Sequence, residues 1–433
     1  MSVTPLRKRL DPVLVVLLLI ALAAAVLGVN SLRHGRAEPS AATEPLAAQI
    51  EQKRQQLDRV PGNASGWAGL GASYVELARI TGDPANYGEA QRALDRSLQL
   101  KPEGNAEALS GLGVLANARH DFANARRYAE QALTLRPDSA EIEGVLVDAL
   151  TQLGDTDAAT AAVQRMLDLR PGVPSFTRAA YDLELHGRTA EARDAMQLAL
   201  AAATTVDQIA FCRYHLGELA FNAGQLDEAE THYRTGLLAS PNNAALLQGQ
   251  AKISAARGDL DRAIAQYAAL TARSSLPEYL IEYGELLDAA GHPDQARAQY
   301  AAVSDRFRAL EAQGATVDLD AASLAADHGD PADAVRLAQL EYARRQNIIT
   351  TDVLAWALHK AGRDGEAVEL ADRAGTLGWR NASLLYHRGM ILAALGRTDE
   401  ATAALRTALD INPNFSPLHA PRARQALDTL TAH

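Results

Sequence analysis

The sequence predicts an all-α protein: a solenoid of about ten helix–turn–helix repeats behind a single N-terminal transmembrane helix. Three observations support this prediction. Glycines recur every 33 to 38 residues over most of the chain, and an alanine stands five residues after each of them. A period near 34 residues is typical of stacked helix pairs. A long apolar run near the N-terminus has the length of a membrane span.

Composition favours a helical protein and argues against a nucleic-acid binder. Hydrophobic residues make up 48% of the 433 residues and aromatic residues only 5%, so the apolar content is mostly aliphatic and favours helices. The net charge of −11 argues against a general nucleic-acid binder, because phosphate contacts need clustered Lys and Arg. The single cysteine, Cys212, excludes an internal disulfide and is expected to be a small packing residue.

The N-terminus has the sequence pattern of a signal anchor. Residues 1–12 form a basic flank, and Val13–Val29 contains no charged side chain, so that 13–32 can cross a bilayer. A cleaved signal peptide is the alternative, although nothing after Val29 resembles a good cleavage site. The basic flank favours a single-pass cell-membrane protein with a cytoplasmic N-terminus and the array outside the cytoplasm.

Two short segments connect the anchor to the array. Residues 33–45 are polar and rich in Ala and Pro, which is typical of a flexible tether. Residues 46–63 place apolar side chains at helical spacing, so they are expected to form an amphipathic lead-in helix. These side chains are Leu46, Ile50, Leu57 and Val60.

The repeats occupy residues 64–414. The turn glycines are Gly154, Gly187, Gly224, Gly258, Gly291, Gly329, Gly362 and Gly396. The alanines five residues later are Ala159, Ala192, Ala229, Ala263, Ala296, Ala334, Ala367 and Ala401. Glycine permits the positive φ that ends the first helix of a pair, and alanine lets the two helices cross closely.

Individual repeats resemble the tetratricopeptide repeat (TPR). The consensus Trp-Leu-Gly-Tyr pattern is matched by Trp67, Leu70, Gly71 and Tyr74, and another repeat matches at Leu216, Gly217, Gly224, Ala229, Tyr233, Gly236 and Pro241. The resemblance implies a right-handed superhelix with repeats that begin near Ala64, Ala106, Ala140, Val173, Ala210, Ala244, Pro277, Ala315, Ile348 and Ala382. The whole chain also resembles bacterial membrane-anchored TPR proteins of unassigned activity. Residues 415–433, which begin with their Phe-Ser-Pro-Leu-His-Ala-Pro tail, are expected to form a C-terminal capping helix.

No catalytic or cofactor motif is present, so neither an enzyme nor a cofactor is expected. His120, His186, His292 and His328 fall at the turns within repeats, where solvated turn residues are expected rather than metal ligands. Asp327–Asp330 is expected to cap a helix and form a turn.

The resemblance to TPR arrays implies that the first helix of each repeat lines a concave groove. The predicted groove residues are Asp148, Tyr181, Glu184, Phe211, Tyr214, Glu218, Phe221, Glu285, Asp288, Asp352, Trp356 and Tyr386. These acidic and aromatic side chains suit a protein or peptide segment that mixes basic and apolar residues. A core role for the aromatic residues is the alternative at Phe211, Phe221, Trp356 and Tyr386.

Three classes of function follow. The first is a membrane-tethered scaffold that binds protein segments in the groove. The second is an assembly or translocation accessory that acts through its convex face. The third, an enzyme or small-ligand binder, has the least support, because no group of reactive residues is apparent in the sequence.

Overall fold

The computed structural model describes residues 43–81, 83, 85–274, 276–312 and 319–432, which form 22 helices and no strand. The helices are α1 (Thr43–Arg59), α2 (Ala64–Thr81), α3 (Ala85–Leu100), α4 (Ala106–Ala118), α5 (Phe122–Leu135), α6 (Ala140–Leu153), α7 (Thr156–Leu169), α8 (Val173–Leu185), α9 (Thr189–Ala202), α10 (Val206–Asn222), α11 (Leu226–Ala239), α12 (Ala244–Ala256), α13 (Leu260–Thr271), α14 (Pro277–Ala289), α15 (Pro293–Ala312), α16 (Leu319–His328), α17 (Pro331–Arg344), α18 (Ile348–Lys360), α19 (Asp364–Ala374), α20 (Ala382–Ala394), α21 (Thr398–Ile411) and α22 (His419–Thr431).

The helices from α2 to α21 are arranged as ten successive pairs, with α1 before them and α22 after them. The all-helical repeat fold predicted from the sequence is therefore confirmed for the described residues, whereas the handedness of the superhelix stays a prediction. The fifth pair begins at Val206, earlier than Ala210. Its start is set by Thr205, whose hydroxyl accepts from the backbone N–H of Gln208 at 3.2 Å while the Gln208 side chain accepts from the N–H of Thr205 at 3.3 Å.

Most of the predicted glycines serve as left-handed turn residues. Seven of the eight have positive φ, and Gly329 is the exception. In the second repeat, which has no turn glycine, His120 adopts φ 57°. Its ring is buried and stacks on Phe122 at 5.5 Å, so this histidine is not the solvated turn residue expected from the sequence. His328 likewise stacks on Tyr300 at 3.8 Å.

Small residues let the helices pack closely. The alanines that follow the turn glycines are all exposed by 2% or less. A Cβ atom at Gly217 or Gly249 would lie 2.2 or 2.5 Å from Cε1 of Tyr233. The ring of α11 therefore lies between two first helices, α10 and α12, and only glycine leaves room for it. Cys212, also on α10, is fully buried in the neighbouring core cluster with Leu216 and Leu219, and burial raises the pKa of its thiol to about 12.

The array turns back on itself, so that three turns within repeats meet three later linkers. We call these contacts the seam. Gly154 lies against Gln346, Gly187 against Gly378, and Gly224 against Ile411. A Cβ at Gly187 would lie 2.3 Å from the carbonyl oxygen of Gly378, whereas a Cβ at Gly258 would meet nothing within 4 Å. The seam glycines thus allow the turn and also the close approach of the later linker.

Hydrogen bonds reinforce the seam at two places. The Arg345 guanidinium donates to Oε1 of Gln152 at 2.7 Å, and the Asn347 amide donates to the Gln152 carbonyl at 3.1 Å. The Asn412 amide donates to the carbonyl of Phe221 at 2.8 Å. Each of these bonds joins residues about 190 positions apart in the sequence, so the seam holds distant repeats of the array together.

The predicted transmembrane helix 13–32 lies outside the described residues. Among the helices that are described, none combines the length and the apolar character that a membrane crossing requires.

Candidate binding surface on the inner face

The first helices of the repeats line the inner side of the array, which we call the inner face. Several cavities lie along it. The N-terminal groove, of about 430 Å³, is formed by repeats one to four. The central pocket, of about 200 Å³, lies between α8, α10 and the linker before α20. The C-terminal cavity, of about 350 Å³, lies between α10, α12, α14 and the segment around α22.

The N-terminal groove has an apolar floor and paired charges. Val75, Val114, Val145 and Met166 supply the floor. Three carboxylate–arginine pairs line it: Glu76 with Arg79, Glu141 with Arg170, and Asp148 with Arg178. The groove is therefore close to neutral. Asn117 is buried beside the floor, and its Oδ1 atom has no hydrogen-bond partner among the described residues.

Asp148, a predicted groove residue, is buried in this groove. Its carboxylate accepts from Nε of Arg178 at 2.7 Å and from Nη2 at 2.5 Å. Burial nevertheless raises the pKa of Asp148 to about 6, because the loss of hydration outweighs the attraction of the Arg178 charge. Arg178 therefore already pairs with a carboxylate that was predicted from the sequence to contact a ligand.

The central pocket brings together four of the predicted residues, Tyr181, Glu184, Tyr214 and Glu218. Trp379 from the α19–α20 linker closes it on the side of Glu184. The Asn222 side chain lines the pocket as well. Burial, together with the nearby charge of Glu218, raises the pKa of Glu184 to about 7.

Carboxylates predominate beyond the central pocket. Glu218 accepts from the Lys252 ammonium group at 2.7 Å and from the Tyr233 hydroxyl at 2.6 Å. Glu282 accepts from Gln248 at 2.7 Å and from Tyr267 at 2.8 Å. Burial, together with the charges of Asp320 and Glu282, raises the pKa of Glu278 to about 7. The carboxylates of Glu184, Glu218, Glu278 and Glu282 outnumber the Lys252 ammonium group that lies among them.

The C-terminal segment lies on the inner face. Phe415, Pro417 and Arg424 line the C-terminal cavity opposite Phe221 and Tyr267. The ring of Phe221 is buried, and the Lys252 ammonium group lies 4.5 Å from its centroid. Phe221 therefore contributes mainly to packing, in agreement with the core alternative.

The same segment covers the last predicted groove residues. Trp356 and Tyr386 are only 4% and 2% exposed. Trp356 donates to Asp327 at 3.0 Å, and Tyr386 stacks on His419 at 5.0 Å. Asp352 is buried as well and accepts from Nδ1 of His387 at 2.8 Å. These three residues were expected in an open groove, but α22 folds onto this part of the array and leaves them little contact with solvent.

The remaining predicted residues are half-buried and have partners. Phe211 packs on His215 at 4.2 Å. Asp288 accepts from the Tyr300 hydroxyl at 3.1 Å, and Glu285 lies 3.8 Å from Nε2 of His328. The structure thus groups the predicted residues around the central pocket and the acidic stretch, and separates them from the buried C-terminal set.

Sequence reasoning missed three residues of this surface, Glu278, Glu282 and Trp379. Glu282 lies one residue after a position that the TPR resemblance assigns to the groove, yet its carboxylate reaches Gln248 and Tyr267 on the inner face. Trp379 lies in a linker, and only the seam carries it to Glu184. Nothing in the local sequence around Trp379 indicates that contact.

Comparisons with known proteins agree with this architecture. Family models described as tetratricopeptide repeats match residues 116–179, 214–277 and 382–415. Together with the ten helix pairs, these matches show that the chain contains tetratricopeptide repeats.

A bacterial relative also matches. Cellulose synthase 1 operon protein C of Komagataeibacter xylinus is 27% identical over 255 residues, which are 58% of this chain and 17% of that protein. The chain therefore spans about a sixth of the length of this relative.

Similar solved structures include a thermophilic TPR protein of Thermus thermophilus, with 22% identity, a TM-score of 0.37, and coverage of 42% of this chain and 94% of that one. Yeast Tom70 has 12% identity, a TM-score of 0.35, and coverage of 90% and 93%. The human IFIT1 dimer with m7Gppp-AAAA has 16% identity, a TM-score of 0.47, and coverage of 76% and 77%.

Proposed function

We propose that this protein is a TPR scaffold that binds an extended protein segment on its inner face. The observation that carries the proposal is the acidic and aromatic stretch from Glu184 to Glu282. Half-buried carboxylates that outnumber the cation among them favour a positively charged ligand, and aromatic rings offer contact area at low rotamer cost. Cavities of about 200 to 430 Å³ suit the side chains of an extended segment better than a folded domain.

The N-terminal groove suits the apolar part of such a segment. Its valine and methionine floor can bury aliphatic side chains, and its charges are already paired. The unpaired Oδ1 atom of Asn117 can accept a backbone N–H from the bound segment. A segment with apolar residues followed by lysine or arginine therefore matches both parts of the inner face.

Fluorescein-labelled peptides of Leu, Gly and Lys test this function, with Leu, Gly and Glu peptides as the matched comparison. We expect the lysine peptides to bind more tightly and their affinity to decrease as salt rises. Tyr214→Ala is expected to weaken binding more than Glu285→Gln, because half-buried aromatic residues contribute more binding energy than carboxylates near the edge of a site. The inner face is excluded as the binding surface if the glutamate peptides bind more tightly. It is also excluded if the affinity changes neither with salt nor with Tyr214→Ala.

Soluble cello-oligosaccharides provide a second probe, because the bacterial relative is named for a cellulose synthase operon. If these sugars bind and no peptide binds, the ligand of the inner face is a glucan and not a protein segment. Crosslinking in intact cells, followed by mass spectrometry, then identifies the natural partner.

We also propose that residues 13–32 tether the array to the cell membrane, with the N-terminus in the cytoplasm. The uncharged run Val13–Val29 and its basic flank support this orientation. A reporter that is active only outside the cytoplasm, fused after His433, is expected to be active. A reporter active only in the cytoplasm would reverse the orientation, and a mature chain that begins near Ala37 would exclude the uncleaved anchor.

An assembly role through the convex face is the second candidate. Two leucines of second helices support it: Leu238 in α11 is 80% exposed and Leu340 in α17 is 56% exposed. If this face binds the partner, Leu238→Ser should abolish the crosslinks, whereas Tyr214→Ala should leave them unchanged. The opposite pattern supports the inner face.

A further inference from the structure

The central pocket has the composition of a cation-binding cage. Its six principal lining residues are Tyr181, Glu184, Tyr214, His215, Glu218 and Trp379. Four of these are aromatic rings and two are carboxylates, around a volume of about 200 Å³. Such a volume accommodates one long side chain or a small organic amine, and the faces of aromatic rings attract ammonium ions.

Glu184 is the residue of the pocket that lacks a counter-ion. Glu218 already pairs with Lys252 at 2.7 Å. Glu184 lies beside two neutral side chains, Trp379 and Asn222, and no ion pair joins it to a cationic side chain of the described residues. A half-buried carboxylate in this situation gains from a cation that enters the pocket, because the cation replaces lost hydration.

The charges around Glu184 favour the same ligand. On α10, burial lowers the pKa of His215 to about 4, so this ring stays neutral beside the pocket. Glu218 adds a second negative charge on that helix. Arg345 acts on Tyr181 from the side of the seam, and Arg193 and Arg380 line an adjoining cavity that Glu184 also borders, but none of these three arginines forms an ion pair with Glu184. A bound cation would lower the pKa of Glu184 and complete its ionisation near neutral pH.

We infer that the central pocket binds one organic cation, of the alkylammonium or guanidinium class, between the Glu184 carboxylate and the rings of Tyr181, Tyr214 and Trp379. Because the seam supplies Trp379, the pocket exists only while the seam is closed. The inference deepens the proposed function, since a lysine or arginine of a bound segment is one source of such a cation. A free amine is the other source.

The first experiment uses n-butylammonium, which has the chemistry of a lysine side chain, and its neutral counterpart n-butanol. The indole N–H resonance of Trp379, assigned with Trp379→Phe, reports on the pocket. We expect n-butylammonium to shift this resonance in the wild-type protein but not in Glu184→Gln. Equal shifts from n-butanol, or an unchanged response in Glu184→Gln, would overturn the inference. This measurement stands even if no peptide binds the inner face.

The second experiment uses a Leu, Gly and Lys peptide and the same peptide with acetylated lysines. Glu184→Gln is expected to weaken binding of the lysine peptide about tenfold, as loss of one charged contact does. Glu285→Gln, which removes an inner-face carboxylate outside the pocket, is the matched control, with an expected change of about twofold. If both variants lose the same affinity for the lysine peptide, the central pocket is not the cation site, whereas the proposed function still stands. If n-butylammonium binds as tightly as the peptide, a free amine is the ligand.

Discussion

Small residues decide how closely the helices of each repeat can approach. Ala263 is fully buried where α12 and α13 cross, and Ala265, two positions later on the same helix, is exposed. The sequence alone indicated this difference, because Ala263 lies five residues after Gly258 and Ala265 has no equivalent in the repeat pattern.

Replacing Ala263 by Phe is expected to destabilise the array by about 1–3 kcal/mol, because the ring overpacks a close crossing. Ala265→Phe is the matched control, since it carries the same change in helix propensity on the exposed side. We expect its effect to stay within about 0.5 kcal/mol in chemical denaturation. Equal losses would show that the two faces of α13 are assigned incorrectly.

Buried carboxylates make the stability of the array depend on pH. Glu184 has a folded pKa of about 7 against an ordinary value of 4.5. The folded state therefore holds this proton more tightly than the unfolded state does. The stabilisation is complete below the unfolded pKa and is lost as the pH rises through the folded pKa. Asp148 and Glu278, whose pKa values are also raised, act in the same direction.

The melting temperature of the wild-type protein is thus expected to fall between about pH 5 and about pH 8, and to fall less in Glu184→Gln. Part of the decrease should remain in the variant, because Asp148 and Glu278 still titrate. Glu103→Gln, which removes an exposed carboxyl group, should retain the full decrease. A melting temperature that rises over this range in the wild-type protein would contradict the expected direction.

The paired helices of each repeat were predictable because their signals are local. A turn glycine and a buried alanine recur at fixed spacing, and the structure begins most first helices at the expected residue. Contacts between distant helices were not predictable in the same way. Gly187 and Gly258 have the same role in the repeat pattern, yet only Gly187 meets a later linker. The burial of Trp356 under α22 depends likewise on how the superhelix curves.

Gly187→Ala tests the seam against a control with the same local strain. Alanine at either Gly187 or Gly258 costs about 1 kcal/mol, because both positions have positive φ. Only at Gly187 does the new Cβ collide with the carbonyl oxygen of Gly378. Hydrogen exchange in residues 375–381 is therefore expected to accelerate in Gly187→Ala and not in Gly258→Ala. Equal exchange in the two variants would mean that the seam is not closed in solution.

At the scale of the whole molecule, the seam lets early and late repeats of the array stabilise each other. Arg345, Gly378 and Asn412 lie in linkers after repeats eight, nine and ten, and each meets a repeat five positions earlier in the array. Neighbouring repeats normally provide all the contacts of a solenoid, so its stability is close to additive along the chain. Here the inner face is assembled from two halves of the chain, and access to it depends on both.

Closure of the seam should therefore control how fast a segment binds. A peptide reaches the central pocket either from an end of the inner face or through an opened seam, and the second route depends on how often the seam opens. Gly187→Ala favours the open form, so we expect faster association of the fluorescein-labelled lysine peptide in stopped-flow measurements. Dissociation should accelerate even more, because Trp379 no longer holds the cation against Glu184, and the affinity should fall. Gly258→Ala provides the reference, since it strains a turn away from the seam. If both rate constants in Gly187→Ala equal those in Gly258→Ala while the peptide still binds the inner face, the segment enters from an end and the seam does not act as its gate.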